Sequence, residues 1–165
     1  MKSTLKVNDK LWKEIKSQFP KIDKAVVKTG IQSDAGENDG VSIAEYAAFN
    51  EFGTRNIDER PFMRKTFDDN LANYNKLIER LFKGMLGGKL DAKMAFSILG
   101  QQTEDDMKNT ITTGNFKPNS DITINGGWMK SPSGKPFYVK GKGSNRPLID
   151  GGAMIGAIRY EVEGV

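Results

Sequence analysis

Two nearby blocks set the local architecture of this chain: Ala44-Glu-Tyr-Ala-Ala-Phe-Asn-Glu-Phe-Gly-Thr54 and Arg60-Pro-Phe-Met-Arg64. The first is preceded by Ser42-Ile-Ala-Glu45, a capping-box pattern in which a Ser hydroxyl and a Glu carboxylate satisfy early backbone N–H groups. Gly53 stands where a left-handed residue ends a helix without a side-chain clash. Pro61 suits the first turn of a helix, because its missing N–H has no intrahelical partner there. The blocks therefore predict a short helix, a defined stop and a new helix start.

The flanking sequence predicts three more helical segments. Asp9 is a plausible N-cap for a helix that ends at Phe19, where Pro20 would stop it. From Pro61 to about Met85, apolar residues recur at steps of three and four, as in a long amphipathic helix. A less regular helix follows from about Asp91 to Thr110, with its apolar side formed by Met94, Ile98, Met107 and Ile111. The Gly-Gly pair between the last two helices indicates an αα-hairpin or a hinge.

Strands are predicted from β-branched runs and from alternation. Residues 25–31 are brief and β-branched, and Ile158, Tyr160 and Val162 alternate with charged residues. Asp121-Ile-Thr-Ile124 and Pro136-Phe-Tyr-Val139 are possible short strands within 115–147, the longest stretch without a helical pattern. We expect an α+β fold in which a small mixed or antiparallel sheet is covered by the long helices. At 165 residues the chain fits a single domain, 1–165.

Composition narrows the possible functions. The chain has no Cys and no His, which removes thiolate chemistry, the commonest metal ligand and the side chain best suited to proton transfer near neutral pH. We therefore expect no enzyme, no catalytic residue, no cofactor and no metal, although carboxylate chemistry stays open as an alternative. No apolar run approaches the ~18 residues of a membrane span, so a soluble, unexported protein is expected.

Acidic clusters offer only weak metal sites. Asp34, Glu37 and Asp39 lie in a polar loop, but their spacing fails the EF-hand rule, and the closing position falls on Glu45 of the capping box. Glu104-Asp105-Asp106 fits a solvated helix face better than a divalent cation site.

A resemblance rests on three pieces of sequence: Asn50-Glu-Phe-Gly-Thr54, Arg60-Pro-Phe62 and Arg146-Pro-Leu-Ile-Asp-Gly151. In this order and at this separation they resemble the tail-completion and neck proteins of long-tailed bacteriophages, also called virion morphogenesis or minor tail proteins. The likeness covers most of the chain from about Val26. The chain departs from the family pattern after Asp150, where Gly151 and Gly152 replace the usual Thr-Gly.

The resemblance implies a non-enzymatic virion component, assembled in the host cytoplasm as a homo-oligomeric ring at the head–tail junction or the top of the tail. The implied partners are other neck, connector or tail-tube proteins, with at most transient contact with genome DNA and none with a membrane. The residues expected at subunit interfaces or in structural motifs are Asn50, Glu51, Phe52, Gly53, Thr54, Arg60, Pro61, Phe62, Trp128, Phe137, Tyr138, Arg146, Leu148, Ile149 and Asp150.

The segment 115–147 supports two readings of its structure. Its aromatic residues could dock on a neighbouring subunit and order it, so that it is mobile in the free subunit; or it could form a β-hairpin flap on its own core. The chain carries a net charge of +4, and the basic side chains within 128–146 favour, as an alternative function, a nucleic-acid-binding protein. We expect the helix 43–52 and its corner to form one ring contact and 115–147 the other.

Overall fold

The computed structural model describes residues 9–38, 40–149 and 151–165. These residues form two compact units, each with its own hydrophobic core. The first unit comprises the described parts of Met1–Gly30, Thr66–Asp106 and Arg159–Val165, and the second comprises those of Ile31–Lys65 and Met107–Ile158. Both long helices contribute residues to both units. The single domain expected from chain length stays a prediction.

The α+β class expected from the sequence is confirmed. The helices, in chain order, are α1 Asp9–Lys24, α2 Ile43–Phe52, α3 Phe62–Leu86, α4 Ala92–Thr113, α5 Asp121–Asn125 and α6 Ala153–Gly156. The strands are β1 Val26–Ile31, β2 Glu37–Asn38, β3 Val41–Ser42, β4 Gly127–Lys130, β5 Pro136–Val139 and β6 Ile158–Glu163. Among the described residues the strands pair as β1 with β6, β2 with β3 and β4 with β5. The middle strands therefore do not join the terminal ones in one sheet.

In the first unit, α3 and the start of α4 form the predicted αα-hairpin. Leu77, Leu81 and Met85 of α3 share a core with Ala92 and Ala95 of α4. The face of α4 was predicted wrongly for this half, since Met94 and Ile98 are exposed. Small side chains face the core instead, because they let the second helix approach α3 closely.

The sheet of β1 and β6 packs on α4 within the same unit. The hydroxyls of Thr29 and Thr103 lie 2.6 Å apart, and the backbone N–H of Tyr160 donates to Glu104 Oε2 at 2.9 Å. A Cβ on Gly100 would lie 2.2 Å from the Tyr160 ring, so only glycine admits the ring there. The predicted alternation of β6 is confirmed, with Tyr160 and Val162 half-buried between exposed charged residues.

Helix α1 runs on to Lys24 through Pro20, which was predicted to stop it. An interior Pro removes one helical hydrogen bond and costs about 3 kcal/mol in an isolated helix. Here the residues around the Pro have tertiary partners. Ile22 packs against the core of the first unit, and Gln18 Oε1 accepts from the backbone N–H of Ala92 at 3.1 Å. Packing of the last turn offsets the local break.

In the second unit, the core brings together Ala47 of α2, Phe62 of α3, Met107 and Ile111 of α4, and Leu148. This core connects two of the three pieces of sequence that carried the resemblance, because Phe62 belongs to Arg60-Pro-Phe62 and Leu148 to Arg146-Pro-Leu-Ile-Asp-Gly151.

The predicted strand at Asp121–Ile124 is instead the helix α5. The Ser120 carbonyl accepts from the N–H groups of Thr123 and Ile124 at 2.9 and 3.0 Å. The carbonyls of Thr123 and Ile124 accept in turn from the N–H groups of Lys142 and Gly143, at 3.0 and 2.9 Å. The returning chain thus satisfies carbonyls that a short helix leaves unpaired, which outweighs the strand preference of the β-branched residues.

Candidate assembly surfaces

The corner after α2 is built around Gly53 and Thr54. Ser42 caps the start of α2, with its Oγ accepting from the N–H of Glu45 at 3.4 Å. At the other end, Gly53 has φ +70 and ψ 170, so its φ is positive as predicted while its ψ is extended rather than left-handed helical. The Thr54 hydroxyl accepts from the N–H of Ile57 at 3.1 Å, and the Thr54 N–H donates to the Ile57 carbonyl at 2.9 Å. These bonds fix the turn that leads into α3.

Glu51 is the most constrained residue of this corner. Its side chain is buried, and its carboxylate accepts from the backbone N–H of Met63 at 2.8 Å and from that of Arg64 at 3.0 Å. These N–H groups lie in the first turn of α3, where they have no helical partner and where a negative charge is favoured by the helix dipole. The Glu51 side chain therefore caps the start of α3, although Glu51 itself belongs to α2.

Arg64 closes the same network from the other side. Its Nε donates to Glu51 Oε1 at 3.0 Å, and its Nη2 donates to the Glu51 carbonyl at 2.5 Å and to Glu59 at 2.9 Å. The hydrogen bond to Glu51 raises the pKa of Arg64 above its usual value, with the charge of Glu59 adding to it. Glu51 thus pairs with an arginine of the next helix, 13 residues further along the chain. The reason is that the turn at Gly53 directs the chain back toward the start of α3.

Arg60 ties two distant segments together. Its Nε donates to the Lys117 carbonyl at 2.9 Å, its Nη2 to the Pro118 carbonyl at 3.1 Å, and its Nη1 to Asn50 Oδ1 at 3.2 Å. The guanidinium is largely buried, and this burial lowers the pKa of Arg60. A cation held in this way stabilises the corner from within. Arg60, expected at a subunit interface or in a structural motif, thus makes three hydrogen bonds to other segments of its own chain.

The sequence piece Arg146-Pro-Leu-Ile-Asp-Gly151 contains a leucine with a strained backbone conformation. Leu148 is buried in the core with φ +63, a conformation that L residues with a Cβ rarely adopt. Lys142 Nζ donates to the carbonyls of Arg146 and Ile149, at 2.8 and 3.1 Å, on either side of it. Asn119 Nδ2 also donates to the Arg146 carbonyl at 3.0 Å. Lys142 is thus a clasp, whereas the sequence had placed it with the exposed basic side chains.

The other residues of this sequence piece differ in their burial. Ile149 is half-buried against the core, and Asp150 lies outside the described residues. The Arg146 side chain is exposed, and its backbone N–H donates to Ser144 Oγ at 3.2 Å. Its expected place at a subunit interface or in a structural motif stays a prediction.

The three pieces of sequence that carried the resemblance border a cleft of about 400 Å³ in the second unit. Asn50, Arg60 and Leu148 line it, one from each piece, together with Lys142. Both cations of the cleft donate to acceptors of the protein itself, Arg60 to the Lys117 and Pro118 carbonyls and to Asn50, and Lys142 to the carbonyls of Arg146 and Ile149. No cluster of metal-ligating side chains occurs in the part of the chain that the structure describes.

The hairpin of β4 and β5 is the region most unlike this corner. Its strands pair antiparallel, with Trp128 opposite Tyr138 and Met129 opposite Phe137. Trp128 is 73% exposed and Tyr138 58% exposed, and their ring centroids lie 5.6 Å apart in an edge-to-face arrangement. Phe137 is also exposed, on the opposite face. The segment 115–147 thus contains the β-hairpin of one predicted structure, but the aromatic side chains of this hairpin are exposed. Their docking on a neighbouring subunit stays a prediction.

None of the protein-family models, curated proteins or solved structures compared with the chain matches it. None of the described helices is long and apolar enough to cross a bilayer. The predicted site residues differ in their exposure. Glu51, Arg60, Phe62 and Leu148 are buried, whereas Phe52, Thr54, Trp128, Phe137, Tyr138 and Arg146 are exposed.

Proposed function

We propose that this protein is a structural virion subunit of a tailed bacteriophage that forms a ring at the head–tail junction or at the top of the tail. It would be assembled in the host cytoplasm with other neck, connector or tail-tube proteins. The proposal assigns the chain no catalytic residue, cofactor or metal.

The exposed aromatic hairpin is the observation that carries this proposal. A two-stranded hairpin is marginally stable by itself in water, and here both faces expose large apolar side chains. Aromatic residues exposed in this way are typical of surfaces that become buried on association. The resemblance of three pieces of sequence to the neck and tail-completion proteins supports the assignment to the head–tail junction or the top of the tail.

The direct test is the mass of the purified chain, measured by light scattering and native mass spectrometry over a range of concentrations. We expect a closed oligomer, visible as rings in negative-stain images. Labelled antibodies should bind intact virions at the neck or tail end. A chain that stays monomeric at every concentration and is missing from purified virions would contradict the proposal.

DNA binding is the outcome that would favour the alternative function. Lys142 donates to backbone carbonyls of its own chain. The exposed lysines of the basic segment are Lys130, Lys135 and Lys140. A ring around a moving genome requires weak, salt-sensitive binding, since several phosphate contacts per subunit would hold the DNA. Tight DNA binding at physiological salt that is lost when these three lysines become Gln would point to a nucleic-acid-binding protein instead.

A further inference from the structure

Helix α2 has apolar side chains on both of its faces. Ile43, Ala47 and Glu51, at steps of four, are buried in the second unit. Phe49 and Phe52 lie on the opposite side and are 38% and 68% exposed. A helix at the surface of a monomer normally carries polar residues on its outer face. The outer face of α2 therefore has the composition of a surface that another molecule covers.

Glu45 extends this outer face. It precedes Phe49 by four residues and Phe52 by seven, a spacing that places all three on one stripe of the helix. Its side chain is exposed. We call Glu45, Phe49 and Phe52 the α2 stripe.

One face of the hairpin has complementary chemistry. Because strand residues alternate between faces, Trp128 and Lys130 share a side with their cross-strand partners Tyr138 and Pro136. This face combines the two most exposed aromatic rings of the hairpin with a lysine, and we call it the Trp128 face. The opposite face carries Met129 and Phe137, which are less exposed, at 42% and 45%.

Charge separates the regions that carry these two surfaces. The chain has no Lys or Arg between Lys28 and Arg55, a segment that contains the α2 stripe and several carboxylates. It has no Asp or Glu between Asp121 and Asp150, a segment that contains the hairpin and several cations. Copies of this chain would therefore attract each other when the hairpin of one meets α2 of another, and this complementarity would favour the correct orientation.

We infer that the Trp128 face of one copy packs on the α2 stripe of a second copy, with Lys130 near Glu45, and that this contact repeats head to tail around the ring. The inference rests on the proposed ring and names its contact surfaces. The two surfaces are different parts of the same chain, so the contact is heterologous and leaves one of each free on every dimer. The buried Glu51 and Arg60 support α2 from within the subunit, and the Arg64 guanidinium lies over the Phe52 ring of the stripe, 5.3 Å from its centroid.

The test uses two variants of the full chain that each disable one surface. Trp128→Ser with Tyr138→Ser removes the hairpin face, and Phe49→Ser with Phe52→Ser removes the α2 stripe. Met129→Ser with Phe137→Ser, on the other side of the hairpin, is the matched control. Circular dichroism and thermal melts establish that each variant is folded. Sedimentation velocity and native mass spectrometry then report the assembly.

We expect each surface variant alone to lose assembly, with at least about a tenfold rise in the concentration needed, since central aromatic residues dominate most interfaces. The control should assemble like the wild type. A mixture of the two surface variants should form a 1:1 dimer and nothing larger, because only one intact hairpin and one intact stripe remain between them.

A second pair of variants covers the case in which the α2 variant does not fold. Lys130→Glu and Glu45→Lys should each weaken assembly, and mixing the two chains should restore it. If the wild type forms rings but both mixtures stay monomeric, the contact lies elsewhere and the inference fails while the proposed ring stands. If the wild type never oligomerises, the ring and the inference fail together. Assembly that needs a purified neck protein would also overturn the choice of a second copy as the occupant.

Discussion

The corner of residues 50–64 and the hairpin of residues 127–139 lie in the same unit of the protein, but they differ in which side chains they bury. The corner buries charged groups and satisfies them with backbone donors and acceptors, as with Glu51 on the first turn of α3. The hairpin exposes Trp128 and Tyr138 to solvent. A distinctive sequence block can therefore serve to hold the fold, while the exposed aromatic surface is formed by less distinctive sequence.

This contrast predicts that substitutions in the corner reduce stability and leave the chemistry of the surface intact, whereas substitutions in the hairpin do the reverse. The largest effect is expected at Glu51. Glu51→Ala should lower the free energy of unfolding by about 3 kcal/mol, because two first-turn N–H groups and a guanidinium lose a buried carboxylate. Urea denaturation measures this change.

Glu59→Ala is the matched control for Glu51. Glu59 also pairs with Arg64, but its side chain is 51% exposed. An exposed ion pair contributes at most about 1 kcal/mol. Equal losses for the two variants would show that Glu51 gains nothing from its burial and its backbone partners.

The second effect concerns the turn at Gly53. A Cβ there would lie 3.1 Å from the Glu59 nitrogen and 3.2 Å from the Ile57 oxygen, in addition to the positive φ. Gly53→Val should therefore cost about 2–3 kcal/mol, combining backbone strain with a clash against rigid backbone. Gly134 has φ +79 with nothing within 4 Å of a Cβ, so Gly134→Val isolates the strain alone. Thermal melts that give the two variants the same midpoint would remove the clash from this explanation.

A smaller loss is expected at the Lys142 clasp. Lys142→Met keeps the aliphatic stem but removes two hydrogen bonds beside the strained Leu148, which should cost about 1–2 kcal/mol. Lys140→Met is the control, because Lys140 is exposed and should change stability by less than about 0.5 kcal/mol. The same denaturation curves measure both. A neutral Lys142→Met would mean that the strained turn holds without its clasp.

The smallest effect on folding is expected at the hairpin. Trp128→Ala should change the unfolding free energy of the monomer by less than about 1 kcal/mol, because only a cross-strand pair is lost. The backbone amides of residues 127–139 should exchange hydrogen quickly in the free subunit and slowly in the assembly, as expected if 115–147 becomes ordered on a neighbouring subunit. Strong and equal protection of residues 127–139 in both states would contradict this prediction.

Much of the fold was predictable because it depends on local chemistry. The Ser42 cap, the positive φ of Gly53, the start of α3 after Pro61 and the alternation of β6 each follow from neighbouring residues, and each is found in the structure. The same local rules failed at Pro20 and at Asp121–Ile124. In both cases partners distant in sequence outweighed a local preference, through the packing of Ile22 in one and the bonds from Lys142 and Gly143 in the other.

The sequence by itself determined the α+β class, the order of the long helices, the helix stop at Gly53 and the exclusion of Cys and His chemistry, because these depend on composition and on contacts within a turn or two. Only the tertiary structure decided which polar residues are buried. The cap that Glu51 forms on α3 and the bonds from Arg60 to the Lys117 and Pro118 carbonyls join separate segments of the chain. Lys142 binds the carbonyls of Arg146 and Ile149, which are near it in sequence but lie in a segment without a helical pattern. No spacing rule encodes them, because they depend on how the packed core brings these segments together.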